Sequence, residues 1–367
     1  MVDPMQAWLA SGDYAVVHNV SLRPLALPRV STLPVAYTGA QGSSYELADD
    51  NRNKWILKKF FSAMEPEAGF VTAVQPLIPR RSGFEAGFER AIVSGAGVSH
   101  SPVQNVDLRS WITGTVLMPY IETRSWADVI RLIRDGSRVL SRIEKLILLR
   151  RMSEAVGWLE SASLAHRDLS SANVLVDIIN VNVHLIDWDN IFHPSLNLQS
   201  NAVIGSNGYL APFVRRNGVA DVETTWNENA DRFALAALNA ELLTVNANSR
   251  QHPEGGLLDQ AEIFNRSGAT IVEMKTRLRQ MLPAATSLFD AALYANNFRE
   301  CPGPADWLNV INTELQQTAQ EAWSDEEPVE EIDSPYAQPY ESHFVEIDRK
   351  AFVKIDPAAF VGAPKKR

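Results

Sequence analysis

Three polar residues carry the first chemical signal in this chain. Asp168 and Asn173 lie in His166-Arg167-Asp168-Leu169-Ser170-Ser171-Ala172-Asn173, and Asp187 follows in Leu185-Ile186-Asp187-Trp188-Asp189. Between them, Val174-Leu175-Val176 and Val183-His184-Leu185-Ile186 predict two short apolar strands joined by a turn. Phosphoryl transfer from ATP needs such a set: one carboxylate near an acceptor hydroxyl, plus an amide and a carboxylate for Mg²⁺. The same residues also read as ordinary buried strands with a turn aspartate. What decides between the readings is whether other pieces stand in order on both sides.

The elements that must position this set follow from composition and pattern. The 367 residues are 46% hydrophobic and 21% charged, enough for one large two-lobed domain or two smaller ones. A net charge of −10 argues against nonspecific nucleic-acid binding. The single Cys301 excludes an intrachain disulfide framework and fits a reducing compartment. No stretch approaches the ~18 uninterrupted apolar residues of a membrane span, and the N-terminus makes a poor signal peptide. A cytoplasmic location is expected.

Residues 1–32 read as an extension ahead of the main domain. Residues 33–122 are strand-rich with Gly and Ser turns, and 123–318 are mostly helical. Ser125-Trp126-Ala127-Asp128 and Ser141-Arg142-Ile143-Glu144 predict capped helix starts. Leu149, Met152, Val156 and Leu159 share one face of the second helix, which runs into the Asp168 loop. Residues 319–367 begin as an acidic run, Glu321 to Asp333, read as a solvated linker. Phe344-Val345 then recurs as Phe352-Val353 and Phe360-Val361. This repeat predicts either a strand or hairpin packed on the parent domain, or a motif docking a protein partner.

The ordered set resembles the protein-kinase superfamily, in particular the bacterial, eukaryotic-like Ser/Thr protein kinases. H-R-D-L-x-x-x-N is matched in full; D-F-G is met only at Asp187, with Trp188-Asp189 replacing Phe-Gly. Tyr37-Thr38-Gly39-Ala40-Gln41-Gly42 resembles the glycine-rich loop, with Tyr37 at its first glycine. Trp55-Ile56-Leu57-Lys58 resembles the V-A-I-K strand, and Leu117-Met118-Pro119-Tyr120-Ile121 the hinge. Ser99-His100-Ser101-Pro102-Val103 is similar to the turn after the family's N-lobe helix. Gly205-Ser206-Asn207-Gly208-Tyr209-Leu210-Ala211-Pro212 resembles the end of an activation segment, and Asp231-Arg232-Phe233 the helix that anchors the catalytic loop.

The resemblance implies an α+β fold with a small strand-rich N-lobe and a larger helical C-lobe. It makes Asp168 the carboxylate that takes the acceptor proton, and Asn173 and Asp187 the Mg²⁺ ligands. It has Lys58 pair with the ATP phosphates and with Glu89, Gly39 and Gly42 cover those phosphates, and Met118, Pro119 and Ile121 contact adenine. Strand alternation lets Lys58 or Lys59, but not both, reach the cleft.

Three departures qualify it. Ser170 replaces the lysine of protein-serine kinases, and Ser44 replaces the apolar cover of adenine. Phe213 and Cys301 replace both halves of a buried ion pair, which reads as consistent repacking. Two rivals follow. A nucleotide-binding pseudokinase would tolerate Ser170, Ser44 and Tyr37. A small-molecule phosphotransferase is suggested by Ile186-Asp187-Trp188-Asp189, which resembles the I-D-W-D/E of aminoglycoside and choline kinases.

Overall fold

A curled antiparallel sheet forms the N-terminal half and places Lys58 on one of its faces. The computed structural model describes residues 3–324, apart from 68, 101–107, 217–218 and 254. The tail carrying the Phe-Val repeats and part of the Ser99–Val103 turn therefore lie outside the described residues.

Asp3 caps α1 (Pro4–Ser11) by accepting the Met5 N–H at 2.8 Å. The strands β1 (Ala15–Val17), β2 (Val20–Pro24), β3 (Ala26–Leu27), β4 (Val30–Pro34), β5 (Ala36–Thr38), β6 (Gly42–Asp49) and β7 (Lys54–Phe60) follow. After the short helices α2 (Phe70–Val74) and α3 (Glu85–Phe88) come β8 (Ala91–Ile92), β9 (Val98–His100), α4 (Leu108–Ile112) and β10 (Val116–Pro119). Eight of these strands make one sheet in the order β8-β10-β7-β6-β2-β1-β9. β5 pairs with the first half of β6, while β3 and β4 pair with each other.

The first 32 residues are not an extension ahead of the domain. β2 pairs with β6 and β1 with β9. Met5, Trp8 and Leu22 are buried with Leu47, Leu57 and Leu117 in one apolar cluster. These residues complete the sheet and cover its back face, so no boundary falls at 32.

The rest is helical around one short hairpin. β11 (Arg124–Ser125) leads into α5 (Trp126–Arg134), and Ser125 accepts the Asp128 N–H at 3.1 Å. α6 (Arg142–Ser161) opens on a complete capping box between Ser141 and Glu144. Its Leu149, Met152, Val156 and Leu159 are all buried. β12 (Val174–Asp177) and β13 (Asn182–Leu185) form the predicted hairpin, with Val174 opposite Leu185. α7 (Arg232–Thr244) is buried on every side from Phe233 onward, as a helix at the centre of a bundle must be. α8 (Gln260–Asn265), α9 (Ala269–Met281), α10 (Pro283–Tyr294) and α11 (Pro304–Ser324) complete the unit. α11 continues past residue 318, where a boundary was expected.

The α+β class and the division into a strand-rich first half and a helical second half are as the sequence implies. The described residues up to 321 form one compact unit. Among the described residues no helix is long and apolar enough to cross a membrane.

The Phe213 ring lies edge-on to Phe298 at 4.8 Å, and Cys301 is buried, its thiol pushed up to about 12 by that burial.

Candidate active site

The loop between α6 and β12 is held in a strained shape. Arg167 has φ +65°, a left-handed conformation that costs a side-chain-bearing residue free energy. Asp231, at the start of α7, offsets this by accepting the His166 N–H at 2.6 Å and the Arg167 N–H at 2.8 Å. The Arg167 guanidinium donates four hydrogen bonds to Thr225 and Asn190. It also stacks 4.8 Å from the Trp226 ring. His166 is buried, which lowers its pKa to about 4 and keeps the ring neutral; Nε2 lies 2.8 Å from the Ile186 carbonyl.

These constraints fix the backbone leading into Asp168. Its Oδ1 accepts the Ser206 hydroxyl at 2.7 Å and its Oδ2 the Asn173 amide at 3.0 Å. The same Asn173 amide donates to the Asp168 carbonyl at 2.8 Å. Burial raises the Asp168 carboxyl to about 7, against the pull of Ser206 and Asn173. A carboxyl poised near neutrality suits proton transfer.

Sheet register decides what faces this loop. Paired residues of antiparallel strands share a face. Tyr37 pairs with Ser44, Ser44 with Lys58, and Lys58 with Val116; Glu46 pairs with Ile56, and Ile56 with Met118. All therefore lie on the Lys58 face. Lys59 lies on the other, over the Trp111 ring at 5.9 Å. Met118 is buried, whereas Pro119 and Ile121 are half-buried at the strand end. Tyr37 closes part of the face by donating to Glu46 at 2.5 Å.

Lys58 donates to Asp187 Oδ1 at 2.6 Å, to Asp189 Oδ2 at 2.7 Å and to Gln41 at 3.2 Å. Burial opposes its charge, yet Asp189 and Asp187 together hold the ammonium above the ordinary lysine range. Arg90 bonds the other oxygen of Asp189. Against burial, Arg90 and Lys58 hold Asp189 well below the usual carboxylate range. Asp187 is raised by burial.

Glu89 is not the partner of Lys58. It is exposed, just past the end of α3. That helix has only four residues, and Glu85 turns back to the Gly83 N–H and to His184. Neither acid reaches the sheet; the residue that points inward is Arg90, 1% exposed. Sequence reasoning missed Arg90, Gln41 and the pairing of Asp189 with Lys58. The one available signal was the surplus carboxylate at 189, where the motif usually has glycine.

The two loop glycines differ. A Cβ on Gly42 would lie 2.2 Å from the Lys59 carbonyl oxygen, so only glycine lets β6 approach β7 there. Gly39 sits in the β5–β6 turn with nothing within 4 Å of such a Cβ.

The chain is similar over 180 residues to the phosphorylase b kinase gamma catalytic chain, liver/testis isoform, at 26% identity for the Homo sapiens protein and 25% for that of Mus musculus. The match covers 46% of this chain and 43% of each relative, so the chain spans less than half the length of the curated relatives it matches. No family model matches. This distant likeness, to a kinase catalytic chain, lies with the protein-kinase superfamily, the one the His166–Asn173 and Asp187 motifs resemble. It does not extend to the bacterial subtype.

Proposed function

We propose that this chain transfers the terminal phosphoryl group of ATP to Ser or Thr hydroxyls of proteins. The observation that carries the reading is the Asp168 carboxylate, held between Ser206 and Asn173 at the end of the hairpin that also bears Asp187. Asp168 takes the proton of the acceptor hydroxyl as the phosphoryl group arrives. Ser206 and Asn173 fix the direction of its two oxygens, so the carboxylate needs no reorganisation. Lys58 pairs with the phosphates. Gly42, which permits the tight β6–β7 approach, and Gly39 in the turn shape the loop above them. Met118, Pro119 and Ile121 flank the base. The bacterial, eukaryotic-like type and a cytoplasmic location rest on the sequence alone.

Asn173 and Asp187 fit a hard divalent cation. Asn173 spends its amide protons on Asp168, leaving its oxygen as a donor atom, and Asp187 offers a carboxylate. Among the described residues no cluster of three His, Cys, Asp or Glu stands ready for a metal. Mg²⁺ suits the Asn173–Asp187 pair, since it takes few protein ligands and fills its shell with phosphate oxygens and water. When bound it supplies neutralisation of phosphate charge.

A protein acceptor is favoured by the segment Gly205–Pro212, whose Ser206 touches Asp168 directly. The small-molecule reading rests on Trp188-Asp189. Intact mass after incubation with Mg-ATP, alone and with a generic protein acceptor, separates the readings. Gain of phosphate on either protein supports this proposal. Turnover only with small alcohols supports the small-molecule reading, and nucleotide binding without turnover supports a pseudokinase.

A further inference from the structure

A nucleotide site built around a strand lysine needs a carboxylate to hold that lysine forward. Here the carboxylate does not come from a helix. The structure assigns the task to Asp189, two residues past Asp187, with Arg90 as the buried counter-cation that fixes it. Asp189 is thus a positioning residue acting through Lys58, an inference that rests on the proposed ATP site.

The geometry is tight around Asp189. Asp189 Oδ2 accepts from Lys58 at 2.7 Å, while Oδ1 accepts from Arg90. The side chains of Lys58, Asp189 and Arg90 are 8%, 5% and 1% exposed. With Asp187, the cluster holds two cations and two carboxylates, so no buried charge is left unbalanced. Asp187 alone retains appreciable exposure, 29%, and so has room to turn to another partner. Lys58 keeps Asp189 when it does.

The intervening residue makes the arrangement rigid. Trp188 is buried, with its ring 5.3 Å from Phe84 and 5.2 Å from His166, and its Nε1 donates to the Leu185 carbonyl at 2.9 Å. Gly87 makes room for the indole, since a Cβ there would come within 2.8 Å of the ring. With Trp188 anchored in the core, Asp187 and Asp189 both meet Lys58. Arg90 enters because α3 ends before it.

The test compares Asp189→Asn, Lys58→Met and the double variant in the full chain, with Asp189→Asn checked for folding by thermal melting. Binding of the Mg²⁺ complex of a non-hydrolysable ATP analogue is measured by calorimetry. We expect Asp189→Asn to weaken binding about tenfold in the wild-type background and less than twofold in the Lys58→Met background. Equal losses in both backgrounds overturn the inference, because Asp189 would then not act through Lys58. A second readout needs no nucleotide: the rate at which an acetylating reagent labels Lys58, followed by peptide mass, with Lys59 as internal control. Release of the lysine should speed labelling of Lys58 at least fivefold and leave Lys59 unchanged. An unchanged Lys58 rate overturns the inference even if the protein proves to transfer no phosphate. Conversely, faster labelling in a chain that shows no phosphoryl transfer sustains the inference and removes the proposed function. If Asp189→Asn does not fold, Arg90→Met/Asp189→Asn, which also removes the stranded cation, is carried through both measurements.

Discussion

Asp168→Asn separates a chemical role from a structural one, because the site can absorb the change. Asp168 makes two side-chain contacts, accepting from Ser206 at 2.7 Å and from Asn173 at 3.0 Å. An asparagine placed with its oxygen toward Asn173 keeps that bond. Its amide then faces Ser206, whose hydroxyl can rotate from donor to acceptor. Both hydrogen bonds survive, and a carboxylate that burial disfavours becomes neutral. The stability change should therefore stay within about 1 kcal/mol, the net worth of one hydrogen bond. What disappears is the ability to take a proton. General base contributions run to ~10²–10⁴ in rate, or roughly 3–5 kcal/mol of barrier.

The assay pairs single-turnover transfer from radiolabelled ATP with nucleotide affinity and thermal melting. Turnover should fall at least ~10²-fold, with affinity and melting temperature nearly unchanged. Ser206→Ala leaves the carboxylate but frees it to rotate, and should cost about tenfold, below the effect of removing the base. Near-normal turnover in Asp168→Asn refutes the assignment. So does a loss of melting temperature that accounts for the lost activity.

Gly42→Ala should destabilise the domain by about 1–3 kcal/mol and weaken nucleotide binding, because the added methyl meets the Lys59 backbone, whereas Gly39→Ala should melt like wild type. Lys58→Met should abolish phosphoryl transfer and Lys59→Met leave most of it; equal losses would place the wrong lysine in the cleft. Glu241 is buried and raised from 4.5 to about 7, chiefly by desolvation, so between these values the folded chain keeps a proton that the unfolded chain has lost. Its share of stability therefore falls as pH rises from ~4.5 to 7, by roughly 3 kcal/mol at most. Glu241→Gln should gain on wild type at pH 8 relative to pH 5, and chemical denaturation at the two pH values checks this. Deleting residues 340–367 should leave melting of the domain unchanged but alter activity or partner binding, with amide exchange of the repeats as the direct test.

What the sequence made legible was local. The β12–β13 hairpin follows from two apolar runs of four residues or fewer. The starts of α5 and α6 follow from Ser125 and Ser141, whose hydroxyls reach only three residues ahead. What it concealed was long-range. Val16 and Leu22 show strand character, but nothing along the chain says that they pair with His100 and Asp49. Met5 and Trp8 are two apolar residues on one turn of a short helix, too few to announce that they cover a sheet.

The partner of Lys58 was concealed for a related reason. A carboxylate just ahead of Arg90 satisfies the expected order of pieces, yet order does not set direction. α3 lacks a side-chain N-cap and contains Gly87, and it ends after four residues. A one-residue change in where the helix stops decides whether 89 or 90 points to the sheet. Arg90 then brings a positive charge where a negative one was expected, and two buried cations require a carboxylate between them. Asp189 is that carboxylate, so the departure from glycine at this position goes together with Glu85 turning back to Gly83 and His184 and Glu89 staying exposed.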